Sequence, residues 1–362
     1  MGKRELVLIV AFIFLGTLLY QATAPPGPEG GGFSLRGMVD HIRREVGPRR
    51  EYLADERTQK LPVDAALSEV RVEGVFSLRI EGTDGTDASA RVQVYSTGVD
   101  ESEARALGQK TTMKIARTGD MMQLAFAYPR EGRQRALVTL SVPRRLRVRA
   151  SGVRAELDVR GVAALEFDNT RGAVSVSSIL GLVRGTHVGG EVSIENVKEV
   201  HLTARSSETT LSKVSGNVRL DLTAGALNAR DLAGEVDIDA NRADIELDRI
   251  GGLLRADLSQ GSFEMNALSH ETRVDARGTE VRISLAKPAP ITARTTDENI
   301  EVRLPEQNGF ALDISVDDGE IRLPEGAPQP SGDDRARHAV GPLHGGGPQL
   351  VLRTTHADVI VR

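Results

Sequence analysis

The feature that most constrains this chain is a seven-residue step between two short stretches of alternating apolar residues. It joins Ala150 to Leu157, Phe167 to Val174, Leu220 to Leu227, Ile238 to Ile245, Ala256 to Phe263, Val274 to Val281, Ala293 to Ile300, Ile314 to Ile321 and Leu352 to Val359. The steps advance by 17 to 21 residues if the interval from Phe167 to Leu220 holds three of them, until Pro324–Pro348 intrudes before the last. In the middle of the chain the phase is 18: Val218, Leu220, Leu222, Leu227, Ala229 and Leu232 recur as Val236, Ile238, Ala240, Ile245, Leu247 and Ile250. A fixed period of this length marks a repeat architecture.

Two short strands joined by polar turns, with Gly216, Gly234 and Gly252 closing successive units, cannot bury a core alone. Stacked units can, because each strand then pairs with the rung above and below while equivalent side chains form interior columns. The expected columns are Leu227, Ile245, Phe263, Val281 and Ala229, Leu247, Met265, Ile283. The predicted fold class is all-β, a β-solenoid of about ten rungs, which at ~4.8 Å per rung gives a rod on the order of 50 Å long. A β-sandwich also has short strands and frequent turns, but it has no need of a fixed phase.

Composition agrees with a narrow core: small aliphatic residues dominate, aromatics are 3% and Trp is absent. The net charge of -5 offers no basic footprint for a phosphate backbone, so nucleic acid is not expected as a partner. Zero cysteines exclude disulfides and thiolate chemistry.

Residues Leu6 to Ala24 are uncharged and follow Lys3 and Arg4, a segment long enough to span hydrocarbon. Ala22-Thr23-Ala24 also resembles a signal cleavage site, but Pro25 fits poorly after a scissile bond, which favours an uncleaved anchor. Either reading exports the rest of the chain. The expected organisation is a transmembrane anchor or signal over 1–24 and a Pro/Gly spacer with a charged linker over 25–61. A β-rich capping section over 62–145 and solenoid repeats over 146–362, with a disordered insertion at 324–348, complete it. Leu35, Met38, Ile42 and Val46 also permit a short amphipathic helix within the linker, and Glu101–Leu107 is a helical candidate in the capping section.

The strand Val138-Thr139-Leu140-Ser141-Val142-Pro143, the unit Gly172-Ala173-Val174-Ser175-Val176 and the closing Thr354-Thr355-His356-Ala357-Asp358-Val359-Ile360-Val361 resemble the bacterial putative adhesins. These are β-strand-repeat domains of unknown function, often carried behind one membrane span. The resemblance runs from about Val70 to the C-terminus, implies no catalytic residues, and departs from the family pattern at Ala357 and at the insertion.

Stacking would also align Asp221, Asp239, Asp257 and Asp275 on the outside, 18 residues apart. Carboxylates one rung apart repel by roughly 1 kcal/mol per pair in water. The row could receive a cation such as Ca²⁺, or a partner. Arg219, Arg255 and Arg273, two positions back on the same face, are expected to neutralise it. The seven histidines show no metal-ligand spacing, no Gly-x-Ser-x-Gly elbow occurs, and the Gly-Gly pairs precede no helix. Neither catalytic residues nor a cofactor is expected. The expected function is a membrane-anchored, extracytoplasmic interaction scaffold or adhesin that engages an envelope protein or polymer. Two alternatives remain: a carbohydrate-modifying β-helix enzyme, and a self-assembling filament if the solenoid ends are open.

Overall fold

The computed structural model describes residues 49–130, 133–306, 308–333 and 335–362. The Leu6–Ala24 segment, the Pro/Gly spacer and the Leu35–Val46 helix candidate lie outside the described residues. Among the described residues no helix is long and apolar enough to cross a membrane.

The N-terminal part supplies β1 (Arg50–Leu61), β2 (Glu69–Glu73), β3 (Ser77–Thr83), β4 (Ala88–Gly98), helix α1 (Glu101–Gly108), β5 (Thr112–Thr118), β6 (Met121–Ala127), β7 (Gln134–Pro143), β8 (Arg147–Ser151) and β9 (Glu156–Arg160). Long strands follow: β10 (Ala164–Ser177), β11 (Leu182–Val197), β12 (Glu199–Val214), β13 (Val218–Leu232), β14 (Val236–Ile250), β15 (Leu254–Leu268) and β16 (Thr272–Leu285). Shorter strands complete the chain: β17 (Ile291–Thr296), β18 (Ile300–Arg303), β19 (Phe310–Asp317), β20 (Ile321–Arg322), β21 (Ser331–Gly332), β22 (Ala336–Leu343), β23 (Gln349–Thr355) and β24 (Val359–Val361).

From β10 to β16 each long strand pairs in parallel with the next. Each is one rung, bent at two corners. In β13, β14 and β15 the first corner falls at Ala224, Arg242 and Gln260 and the second at Asp231, Arg249 and Ala267, all with φ between 54° and 61°. Left-handed backbone is unfavourable for such residues, and the ladder bonds on either side of each corner hold it. A third side returns the chain to the next rung, with the Ala233 N–H donating to the Val214 carbonyl at 2.8 Å and the Gly251 N–H to that of Leu232 at 2.7 Å. Rungs pass so closely here that a Cβ on Gly234 would lie 2.4 Å from the Gly216 carbonyl oxygen.

All nine seven-residue steps lie in ladder register: Phe167 and Val174 stack on Ala150 and Leu157, and Ala293 and Ile300 on Val274 and Val281. The long interval holds three steps, as Phe167 pairs with Gly185, Gly185 with Leu202 and Leu202 with Leu220. Gly185 interrupts the apolar pattern because the Phe167 ring fills its place; an added Cβ would lie 2.0 Å from that ring. The expected interior columns form as read, from Leu227 through Val281 and from Ala229 through Ile283. One buried apolar cluster runs from Leu61 to Val361.

The order of rungs departs from chain order at both ends. The pair β2/β3 stacks on β8/β9, and its other side is covered by β6 and β7. It is therefore a rung within a segment expected to be only a cap. Here the step from Val72 to Leu78 is six residues, which hid it from the seven-residue pattern. At the far end β17/β18 stacks on β23/β24, and β23/β24 on β19/β20. The final strand pair thus lies one rung inside the solenoid. Rungs from β2/β3 to β19/β20 number twelve against the ten expected, counting one for each of the seven long strands β10 to β16 and one for each of the five short pairs.

Both ends are closed by antiparallel strands. At the N-terminal end β7 pairs with β4 and β4 with β1, while β6 pairs with β5. Residues 50–61, read from sequence as charged linker, are thus the edge strand β1. Its alternation is masked by charge because only one face is covered. The helix read at Glu101–Leu107 forms, capped by the Asp100 carboxylate, which accepts from the Glu103 N–H at 2.8 Å. At the other end β22 pairs with β19 and β21 with β22. The segment 324–348, expected to be a disordered insertion, therefore supplies the cap, and its Gly and Pro residues make the turns.

Candidate functional site

The four aspartates predicted to align do so. Asp221 is opposite Asp239, Asp239 opposite Asp257, and Asp257 opposite Asp275, all exposed on the first side of the rungs. Leu220 and Leu222, Ile238 and Ala240, Ala256 and Leu258 flank them and point inward, so alternation alone forces the carboxylates out. The row ends in neutral and cationic partners: Thr203 donates to Asp221 at 3.4 Å, and the Arg294 guanidinium lies 3.8 Å from Asp275.

The expected neutralisation by Arg219, Arg255 and Arg273 does not form. These side chains share a column with Asp237, and none lies within ion-pair distance of the aspartate row. Arg255 instead reaches Glu235 at 4.0 Å and Arg273 reaches Glu271 at 2.9 Å. Acids at the return turn capture the guanidinium groups. The consequence is felt at Asp257: partial burial, and then the charges of Asp275, Asp239 and Asp237, push its carboxyl above the usual carboxylate range.

Asp239, Asp257 and Asp275 line an open groove of about 400 Å³ that continues over Asn241, Ser259 and Arg277. Among the described residues no group of three or more His, Asp or Glu is placed to hold a metal ion. A caged divalent ion wants several oxygens converging on one point, whereas these carboxylates stand in file. Such a file matches a series of single cationic groups spaced along a partner.

Of the histidines, His187 lies inside the core and His338 and His344 fall in or beside the cap strand β22. Sequence reading missed a second concave region, in the N-terminal cap, where β1, β4, β6, β7, the β2–β3 turn and neighbouring loops bring arginines and aromatic rings together from distant positions. No local motif announces it, since its residues come from segments scattered between Arg49 and Arg154.

The architecture defines a class: an all-β, capped solenoid carrying a periodic charged face. The chain belongs to the Toastrack DUF4097 family, whose profile matches residues 76–361, the β-repeat family that the sequence resembled. Solved structures similar to it include a putative cell adhesion protein from Clostridium sporogenes, 9% identical, covering 85% of this chain and 98% of that one at a TM-score of 0.22. A putative adhesin from Parabacteroides merdae is 11% identical, covering 85% and 96% at 0.29. Another, from Bacteroides fragilis, is 12% identical, covering 85% and 97% at 0.25. A comparison with curated proteins finds no match.

Proposed function

We propose that this protein is a membrane-tethered, extracytoplasmic interaction scaffold of adhesin type, held by Leu6–Ala24, whose aspartate face receives cationic groups of an envelope protein or polymer. The observation that carries the reading is the row Asp221, Asp239, Asp257 and Asp275 on a rigid ladder, of which among the described residues only Asp275 has a cation within ion-pair distance, Arg294 at 3.8 Å. Of the three arginines two residues away, Arg255 and Arg273 are drawn to other acids and none reaches the row, whose charges help push Asp257 toward protonation. A cationic partner relieves that repulsion. The family is one of unknown function, and the adhesin names of the solved structures agree with a binding role.

Export is tested by protease accessibility of the solenoid in intact spheroplasts, where protection of residues 49–362 would sink the anchor assignment. The face is tested by binding of a lysine-rich peptide to the full chain and to the variant with all four aspartates changed to Asn. Affinity should fall at least tenfold in the variant and weaken with salt, because opposed charges on a surface are screened. Equal binding by both proteins would remove the face from the function.

A further inference from the structure

We propose that the N-terminal cap contains a binding pocket for an acidic oligosaccharide, one whose sugar rings carry carboxylates. The pocket goes beyond the aspartate face: it is built from β1, β4, β6, β7, the β2–β3 turn and neighbouring loops, and its charge is opposite. Its volume is about 1010 Å³. That is at the upper end of small-molecule sites and far larger than a single inorganic anion needs.

Four arginines, Arg49, Arg133, Arg135 and Arg154, line it against one acid, Glu51. In a chain of net charge -5 this is a local reversal. Arg135 is the fixed member. It is paired across the strands with Tyr95, its guanidinium lies 5.0 Å from the Phe76 ring centre and 5.3 Å from that of Tyr95, and its Nη2 meets Glu51 at 2.5 Å. Its Nε is buried without a hydrogen-bond partner. Arg49, Arg133 and Arg154 are exposed, and among the described residues none has a carboxylate within ion-pair distance. Three unpaired guanidinium groups around a concavity suit ligand carboxylates, which they can grip in paired hydrogen bonds.

The walls identify the rest of the ligand. Among the described residues Phe167, Phe263 and Phe310 are buried in the core, and every other aromatic side chain, Tyr52, Phe76, Tyr95, Phe126 and Tyr128, belongs to the N-terminal cap. Phe76, Phe126 and Tyr128 line the pocket and remain partly accessible. The Tyr128 hydroxyl donates to the Gly74 carbonyl at 2.7 Å, fixing its ring. Flat apolar faces beside cationic forks fit a sugar ring bearing a carboxylate. Aromatics are only 3% of the chain, and their concentration here supplies sugar-stacking surface in this one place.

The test is calorimetric titration of the full chain in detergent with trigalacturonate, with maltotriose as the neutral arm and inorganic phosphate and anionic phospholipid vesicles as further arms. Trigalacturonate should bind, maltotriose should not, and raising salt should weaken the affinity. Arg133→Gln with Arg154→Gln should lower affinity at least tenfold with an unchanged melting temperature, and Phe126→Leu should lower it severalfold. Absence of trigalacturonate binding, equal binding of maltotriose, or undiminished binding by the double variant would overturn the proposal. Tighter binding of phosphate or vesicles than of trigalacturonate would overturn it as well. Loss of the aspartate-face interaction would leave these outcomes unaffected.

Discussion

His187 shows how much a single inward position can carry. Its side chain is 1% exposed, its Nδ1 lies 3.1 Å from the Thr170 hydroxyl, and its Nε2 is buried without a partner. Burial pushes its pKa below the usual imidazole value, the nearby Gly189 backbone opposing only in part. The unfolded chain therefore takes up the proton first. Stability is full above the unfolded imidazole pKa of about 6.5 and is lost as pH falls from there toward the lower folded value. The melting temperature should drop by several degrees between pH 7 and pH 5, and His187→Leu should flatten part of that slope. An unchanged slope in the variant would show that other groups set the acid limit. The apolar ladders were legible residue by residue, because alternation and phase both mark them. His187, Thr209 and Gly185 were not, because an inward polar or missing side chain looks like an outward one until its neighbours on adjacent rungs are known.

At the scale of elements, the strands that end the solenoid differ in kind from those that build it. β1 is an edge strand with charges at Arg50, Glu51, Asp55, Glu56, Arg57 and Lys60 and an irregularity between Leu53 and Asp55. Charge and irregular register discourage pairing with another chain. β4 beneath it alternates buried and half-buried residues and carries few charges. A protein beginning at residue 49 should stay monomeric in light scattering, whereas one beginning at residue 62, lacking β1, should self-associate with rising concentration. If both remain monomeric, β1 is not what keeps this end closed. The aspartate row was legible from sequence because it shares the core's period. The fate of its arginine neighbours was not, since Glu235 and Glu271 compete for them through side-chain reach that spacing does not encode. Strand β1 and the C-terminal cap, with no repeat to reveal them, were read as linker and insertion, whereas 62–145 was read as a capping section from its alternation.

For the whole molecule the repeat has a further consequence: contacts are made almost wholly between adjacent rungs, so stability accumulates along the stack. Deleting Val236–Leu253, one full period, would place Leu254 where Val236 stood and leave every column in register. Such a chain should fold with an unchanged circular-dichroism profile and a modestly lower melting temperature. Deleting only Val236–Asp244 throws the corners out of column and should give an unfolded or aggregated product. Equal tolerance of both deletions would mean that phase is not what specifies the stack.

The interleaving of the last rungs bears on how the protein is made. Residues 349–361 wedge between two layers that are synthesised before them, so the facing edges of β17/β18 and β19/β20 stay unpaired until this segment has emerged. A chain interrupted before residue 349 would present two bare strand edges to proteases and to its neighbours. The last strands made thus act as the closing wedge of the stack, and the two layers around them can join only through that segment.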